Sequence, residues 1–149
     1  MNREISFRGK SIETGRFVYG DLFHDKDCWG RITASYIYEY DNAHGRCFQS
    51  EVDPETVGQF TGLYDNSETK IFEGDIVNCT HWFFDGNEVE ENFVANVGFR
   101  DGSFSLENID SRYYSDYTGY ENGRGKCWIG DINYYEDDYE VIGNIYEKQ

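Results

Sequence analysis

The chain has 149 residues, with 29 Asp and Glu against 13 Lys and Arg, for a formal net charge of −16. That length fits one compact domain or two small subdomains, and aromatic residues at 18% supply enough apolar surface to argue against disorder. The negative field disfavours nucleic-acid binding through a basic surface, and the short apolar runs exclude a membrane-spanning helix.

The composition predicts a mainly β protein. Three Leu and three Ala, the best helix formers, stand against 11 Ile, 8 Val, 13 Tyr and 11 Phe, which favour strands. In chain order, strands are predicted at Phe17–Phe23, Arg31–Tyr38, Ile76–Phe83 and Tyr139–Tyr146. Between the second and third of these, Asp53 and Pro54 predict a short helical turn with Asp at the N-cap, which Gly58 ends.

The strongest local pattern predicts a hairpin over residues 93–107. Apolar residues alternate with other residues on both sides of Asp101-Gly102, a dipeptide typical of two-residue hairpin turns. Such a turn pairs Phe99 with Phe104 and Val97 with Leu106, so that the apolar partners share one face. Residues 110–126 are rich in Tyr, Gly and Asp without a clear period, and they are interpreted as a long loop or an irregular hairpin.

Gly-Asp dipeptides occur at residues 20, 74 and 130, each preceded by two apolar residues and one further residue, and followed by an apolar residue. The repeated pattern predicts a tight turn that leads into a strand, with chance in a Gly- and Asp-rich chain as the equal alternative.

These elements predict small, strongly bent antiparallel sheets with one short helical turn near residue 54. We expect an N-terminal β subdomain over residues 1–66 and a C-terminal one over residues 67–149, forming one compact unit. The C-terminal half is expected to resemble an SH3-like barrel, because an opening Glu-Gly-Asp-Ile-Val, a long hairpin and an Asp-Gly turn suit that shape.

Four segments carry a family resemblance. They are Phe7-Arg8-Gly9-Lys10 followed by Gly15-Arg16-Phe17-Val18-Tyr19-Gly20-Asp21-Leu22, the run from Asp53-Pro54-Glu55-Thr56 to Leu63-Tyr64-Asp65, Ile71-Phe72-Glu73-Gly74-Asp75-Ile76-Val77, and Val141-Ile142-Gly143-Asn144-Ile145-Tyr146-Glu147. Together they resemble the YopX family of phage and prophage proteins. The resemblance implies a phage-derived, cytoplasmic, mostly β protein, and it implies no reaction.

The motif residues are interpreted as structural. They are Gly20, Asp21, Asp53, Pro54, Thr56, Gly58, Gln59, Gly62, Glu73, Gly74, Asp75, Gly143 and Asn144. Carboxylates at Asp53, Glu55, Glu73 and Asp75 are interpreted as turn and helix caps rather than a catalytic pair.

No catalytic, metal or cofactor site is predicted. The chain has no nucleophile elbow, phosphate loop or dinucleotide fingerprint. The segment from His24 to Cys28 contains metal-ligand residue types, but no second pair of Cys or His completes a zinc site. The cysteines are expected to be reduced thiols in the cytoplasm of a bacterial host.

The function expected from these features is a non-enzymatic protein-binding or assembly module, whose partner is another protein or a second copy. Its candidate interaction surface is a late tyrosine cluster, Tyr113, Tyr114, Tyr117 and Tyr120, because tyrosine is enriched at interfaces. Direct contact with nucleic acid or a membrane is not expected. The alternatives are an acidic decoy that mimics DNA and occupies a host nucleic-acid-binding protein, and an uncharacterised enzyme.

Overall fold

The computed structural model describes residues 2–84, 86–109, 119–121, 124–129 and 139–147. The chain separates into two units, Met1–Gly62 and Leu63–Gln149. The described residues form twelve strands and one short 3-10 helix, which confirms a mainly β protein. The elements are β1 (Phe7–Lys10), β2 (Phe17–Lys26), β3 (Ile32–Asp41), β4 (Arg46–Val52), η1 (Pro54–Thr56), β5 (Gly58–Tyr64), β6 (Lys70–Phe72), β7 (Asp75–Phe84), β8 (Glu88–Arg100), β9 (Ser103–Ile109), β10 (Gly119–Glu121), β11 (Arg124–Trp128) and β12 (Tyr139–Asn144).

The strands form two antiparallel sheets, with orders β4-β3-β2-β1-β5-β6 and β10-β11-β9-β8-β7-β12. In the first sheet β2 and β3 lie between β1 and β4, yet Ser11, next after β1, bridges directly to Val52 at the end of β4. The N–H of Asp53 also donates to the carbonyl of Lys10 at 2.9 Å. Only a sheet that curls can bring these two strands together, so the expected strong bending is confirmed.

Alternation along β3 divides the first sheet into two faces. Ser35 and Ile37 are buried, while the residues between and beside them are partly open to solvent. Val52 lies directly opposite Ser35 and is fully buried. The inner face therefore holds the core of the first unit, and every second residue of β2, β3 and β4 points outward.

The predicted hairpin over residues 93–107 is confirmed in its register. Phe99 pairs with Phe104, and Val97 pairs with Leu106. The structure extends it into β8 and β9, whose buried side chains join those of β7 in the core of the second unit. The buried residues of that core are Ile71, Val77, Cys79, Phe93, Ala95, Val97, Leu106, Ile109 and Tyr139.

The expectation of an SH3-like barrel in the C-terminal half is wrong, because the second sheet is open. Its edge strands, β10 and β12, lie at opposite ends of the strand order. The outer edge of β12 is already bonded, since the N–H of Asn66 donates to the carbonyl of Tyr139 at 2.9 Å and the N–H of Val141 donates to Asp65 Oδ2 at 3.0 Å. A turn thus occupies the edge that barrel closure would need.

The four separately predicted strands correspond to β2, β3, β7 and β12, with ends shifted by a few residues. Of the stretch interpreted as a loop or irregular hairpin, residues 110–118, 122 and 123 lie outside the described part, and β10 and β11 pair as a hairpin. The Gly-Asp repeat fails at Gly20, which lies inside β2 rather than in a turn, although Gly74 does lie in one. Gly130 lies outside the described residues.

Candidate functional site

The Asp53 motif ties the short helix to β1. Asp53 caps η1 by accepting the N–H of Glu55 at 3.0 Å, as its N-cap position predicts. The hydroxyl of Thr56 donates to the carbonyl of Asp53 at 2.7 Å and accepts the N–H of Lys10 at 2.9 Å. These groups satisfy backbone donors and acceptors at a turn, which is a structural role.

The Gly74–Asp75 motif forms the turn between β6 and β7. The buried Asp75 carboxylate accepts the N–H of Phe72 at 2.8 Å, and Glu73 lies within the turn. Gly74 has a φ of +92°, and a Cβ there would lie 2.7 Å from the ring of Tyr146. A residue with a side chain at Gly74 would therefore be strained in its backbone and would have to displace the ring of Tyr146.

The closing motif packs against that turn. Asn144 lies opposite Asp75 in the pairing of β12 with β7, and its side-chain oxygen accepts the N–H of Tyr146 at 3.0 Å. Gly143 lies at a shift in the register of this pair. Two motifs far apart in sequence thus form one junction in the second unit.

Asp65 holds the other edge of β12. Its Oδ1 accepts the N–H groups of Ser67 and Thr69 at 2.9 and 2.8 Å, and its Oδ2 accepts that of Val141. Burial disfavours the ionised carboxyl, but the hydrogen bonds from Val141, Thr69 and Ser67 outweigh it and hold the pKa of Asp65 below its usual value. The sequence motif predicts no role for Asp65, because its hydrogen bond with Val141 joins residues 76 positions apart and leaves no local pattern.

The other motif residues lie in strands. Gly58 and Gln59 begin β5 and pair with β1, and Gly62 lies further along β5. Asp21 lies exposed in β2. A Cβ on Gly20 would lie 1.9 Å from the carbonyl oxygen of Tyr38, so a neighbouring backbone excludes any larger residue.

The ligand types between His24 and Cys28 do not converge. His24 Nδ1 lies 2.9 Å from the hydroxyl of Ser35, on the inner face, whereas Asp25 points outward. Within the described ranges, no group of three His, Cys, Asp or Glu side chains is arranged to hold a metal ion. Asp53 and Asp75 bond backbone N–H groups of their own turns. The described motif residues thus take part in turns and strand pairings.

Most of the late tyrosine cluster lies outside the described residues. Tyr113, Tyr114 and Tyr117 lie outside the described residues. The backbone of Tyr120 lies in β10 opposite Gly125, and its side chain is not among those described. The interpretation of this cluster as a contact surface stays a prediction.

An aromatic surface does occur in the first unit, on the side of the sheet opposite its core. Phe23 of β2 lies directly opposite Tyr36 of β3, which lies opposite Glu51 of β4. One step along, Tyr38 pairs with Asp21 and with Gln49 on its two sides. We call this surface the outer face and define it by eight residues: Asp21, Phe23, Asp25, Tyr36, Tyr38, Tyr40, Gln49 and Glu51.

Large aromatic side chains on the outer face are open to solvent. Phe23 is 50% exposed and Tyr40 is 64% exposed. The rings of Phe23 and Tyr38 meet edge to face, with centroids 6.2 Å apart. Single exposed apolar residues are ordinary on protein surfaces, whereas a contiguous aromatic patch marks a contact site. The alternation of tyrosines at 36, 38 and 40 was the sequence signal that could have identified it.

Carboxylates make the outer face electrostatically negative. Burial raises the pKa of the Tyr36 hydroxyl, and the charges of Asp25 and Glu51 and the proximity of Tyr38 raise it further. Tyr36 also donates a hydrogen bond to Asp25. Each effect favours the neutral phenol, as expected where carboxylates surround a hydroxyl.

The turn between β2 and β3 presents the indole of Trp29, which is 75% exposed. Asp27 accepts the N–H groups of Trp29 and Arg31 and, at 2.8 Å, Nε of the Arg31 guanidinium. The backbone N–H of Arg31 is the largest cause of the lowered pKa of Asp27. Burial of the carboxyl group acts in the opposite direction, and the Arg31 guanidinium and the N–H of Trp29 lower the pKa further. The guanidinium lies over the indole, 4.9 Å from the ring centroid.

Comparison with known proteins gives a family match and a match to a solved structure. The family model described as YopX protein matches residues 6–149. No curated protein matches the chain. A solved structure, protein EF1440 from Enterococcus faecalis, is similar at 20% identity and a TM-score of 0.49, covering 97% of this chain and 95% of that one.

Proposed function

We propose that the chain, which belongs to the YopX family, is a non-enzymatic protein-binding or assembly module. Membership of this family implies no particular reaction. Within the proposal, a phage or prophage carries the protein and it acts in the bacterial cytoplasm. Free thiols at the exposed Cys28 and Cys47 fit a reducing compartment. No helix among the described residues is long and apolar enough to cross a membrane.

The observation that carries this proposal is the aromatic outer face. Its rings stand on two paired strands, β2 and β3, rather than on a loop, so they lose little conformational freedom on contact with a partner. Tyrosine and phenylalanine supply rigid apolar area, and the tyrosine hydroxyls supply hydrogen bonds. Such side chains dominate the binding energy of protein interfaces. The first unit thus offers a preorganised contact surface.

The test compares two pairs of aromatic substitutions. One variant removes outer-face rings through Phe23→Ala and Tyr40→Ala. The matched control carries Phe48→Ala and Phe99→Ala. These two side chains are 50% and 51% exposed and are not part of the outer face. A host protein captured from lysate is purified, and its Kd is measured with each variant by calorimetry. Circular dichroism checks that both variants stay folded.

We expect the outer-face variant to bind on the order of tenfold or more weakly, since truncating an interface aromatic often costs above about 1 kcal/mol. The control should bind within about twofold of the parent. Equal losses in the two variants, or no loss in the first, would remove the outer face as the contact surface. Loss on Tyr117→Ala with Tyr120→Ala alone would move the contact surface to the late tyrosine cluster.

The acidic-decoy hypothesis predicts a different set of binding results with the same captured protein. Glu88, Glu90 and Glu91 lie on β8, and the first two are exposed. If reversing these three residues to Lys abolishes binding, duplex DNA competes, and the aromatic substitutions are tolerated, the decoy replaces our proposal. A binding module of the proposed kind tolerates those reversals, because charges that are not part of the contact surface act mainly on the association rate.

A further inference from the structure

We propose that the outer face binds a basic, Arg- or Lys-bearing segment of its protein partner. This inference rests on the proposed function and adds the chemistry of the partner. Its first support is the interleaving of rings with carboxylates. Phe23 stands between Asp21 and Asp25 along β2, and Tyr36 stands between Phe23 and Glu51 across the sheet.

The spacings of a sheet place these groups within reach of one cation. Residues two apart on a strand are about 6.7 Å apart, and side chains directly opposite have Cβ atoms about 4.5–5.5 Å apart. A guanidinium over the ring of Phe23, Tyr36 or Tyr38 therefore lies near a carboxylate on at least one side. Aromatic faces attract cations, and a carboxylate supplies the opposing charge.

The turn between β2 and β3 already holds a guanidinium in this way. Arg31 lies over the ring of Trp29 while its Nε donates to the carboxylate of Asp27 at 2.8 Å. A ring and a carboxylate of this chain thus contact one guanidinium together. The outer face offers the same two groups several times over, but the eight residues that define it include no Lys or Arg. A cationic side chain of another molecule would complement this charge.

The arrangement also favours an extended segment. Tyr36, Tyr38 and Tyr40 form a row along β3, with Asp21 and Asp25 on one side and Glu51 on the other. A peptide strand whose basic residues alternate would place successive cations along this row, because alternate side chains of a strand share a face. Burial is the largest cause of the raised pKa of Tyr36, and the charges of Asp25 and Glu51 add to it, which agrees with a negative field along the row.

The probe is acetyl-(Arg-Thr)4-amide, with acetyl-(Glu-Thr)4-amide as its acidic counterpart, titrated calorimetrically at low salt and followed by NMR chemical shifts. One variant neutralises the outer face through Asp21→Asn, Asp25→Asn and Glu51→Gln. The matched control carries Glu13→Gln, Glu88→Gln and Glu90→Gln, which remove the same charge from exposed positions elsewhere. Melting curves confirm that both variants fold.

The arginine peptide should shift the resonances of outer-face residues, and the glutamate peptide should not bind. We expect the outer-face variant to bind the arginine peptide at least about tenfold more weakly, and the control within about twofold of the parent. Equal weakening in both variants would mean attraction to the net charge alone and would overturn the inference. Retention of full affinity by the outer-face variant would overturn it as well.

The failures of the two proposals are distinguishable. If the captured partner loses affinity on Phe23→Ala with Tyr40→Ala but not on neutralisation of the three carboxylates, the surface binds a partner that is not basic. In that case the protein-binding proposal stands and the basic segment is rejected. If the aromatic substitutions leave partner binding intact, the outer face is not the contact surface and both proposals fail together.

Discussion

Single residues set the backbone at the hairpin turn of the second unit. Asp101 and Gly102 have φ angles of 49° and 83°. This is the conformation of a type I′ turn, whose twist matches that of the paired strands. Asn and Asp tolerate the left-handed region because their short polar side chains bond the local backbone, whereas a β-branched side chain does not.

Gly102→Val should therefore destabilise the protein by about 2 kcal/mol, or roughly 4–8 °C in Tm. Gly102→Asn should cost much less, because Asn enters the left-handed region readily. No heavy atom lies within 4 Å of a Cβ at this position, so crowding does not confuse the comparison. Thermal unfolding of the two variants measures the difference, and equal Tm values would disprove the turn type.

Steric exclusion is the separate constraint at Gly20. An added Cβ there would meet the backbone oxygen of Tyr38, whereas one at Gly98 would meet the carboxyl group of Glu107, 2.7 Å from its carbon. Backbone moves only with its sheet, but a carboxylate can rotate away. We expect Gly20→Ala to cost about 1–3 kcal/mol and Gly98→Ala less than about 1 kcal/mol in urea unfolding. A reversed order would contradict the close approach at Gly20.

At the scale of elements, an exposed sheet edge is a risk of unwanted pairing, and β12 has its outer edge covered. The cover is the turn after β5, in which Asp65 accepts three backbone N–H groups and is only 3% exposed. In Asp65→Asn, the NH2 group of the new amide faces one of these backbone N–H groups, which then lacks an acceptor. A buried donor without an acceptor costs about 1–3 kcal/mol.

Asp65→Asn should thus lower the free energy of unfolding by about 1–3 kcal/mol at pH 7. The folded pKa of Asp65 lies below the ordinary value of 3.8, so its stabilisation is complete well above pH 3.8 and is lost as pH falls through the folded pKa. Urea unfolding from pH 7 to pH 3 should show the deficit of the variant shrinking. Asp53→Asn serves as control, because Asn caps a helix as well as Asp does. A deficit independent of pH would contradict the ionised acceptor.

Elements with a strong local pattern could be predicted from the sequence, and those defined by distant contacts could not. The alternation around Asp101-Gly102 encodes both turn and register of the β8–β9 hairpin. In contrast, β4 is exposed along most of its length, so no apolar alternation marks it, and its pairing with β3 defines it. The sequence did not identify the outer face for a related reason. Its tyrosines alternate along β3, but the alternation alone does not show which side of the sheet is buried.

For the whole molecule, charge is distributed unequally between the two units. Residues 1–62 contain seven basic and ten acidic side chains, whereas residues 63–149 contain six basic and nineteen acidic ones. Self-repulsion is therefore concentrated in the second unit. The first unit is closer to neutral, so the carboxylates of the outer face stand out locally rather than as part of a uniformly acidic surface. The distribution supports a contact that depends on position and not on net charge alone.

Added salt should stabilise the protein, because a net charge of −16 opposes the compact state and ions screen exposed charges beyond about 10 Å at 0.1 M. We expect Tm to rise by a few degrees between about 10 and 200 mM sodium chloride, equivalent to roughly 1 kcal/mol. Hydrogen exchange should locate the gain in β7–β9 more than in β2–β3, since the second unit carries most of the excess charge. The variant with Glu13→Gln, Glu88→Gln and Glu90→Gln should show a smaller salt response than the parent. A Tm that stays constant or falls with salt, or protection that grows equally in both units, would show that repulsion within the second unit does not limit stability.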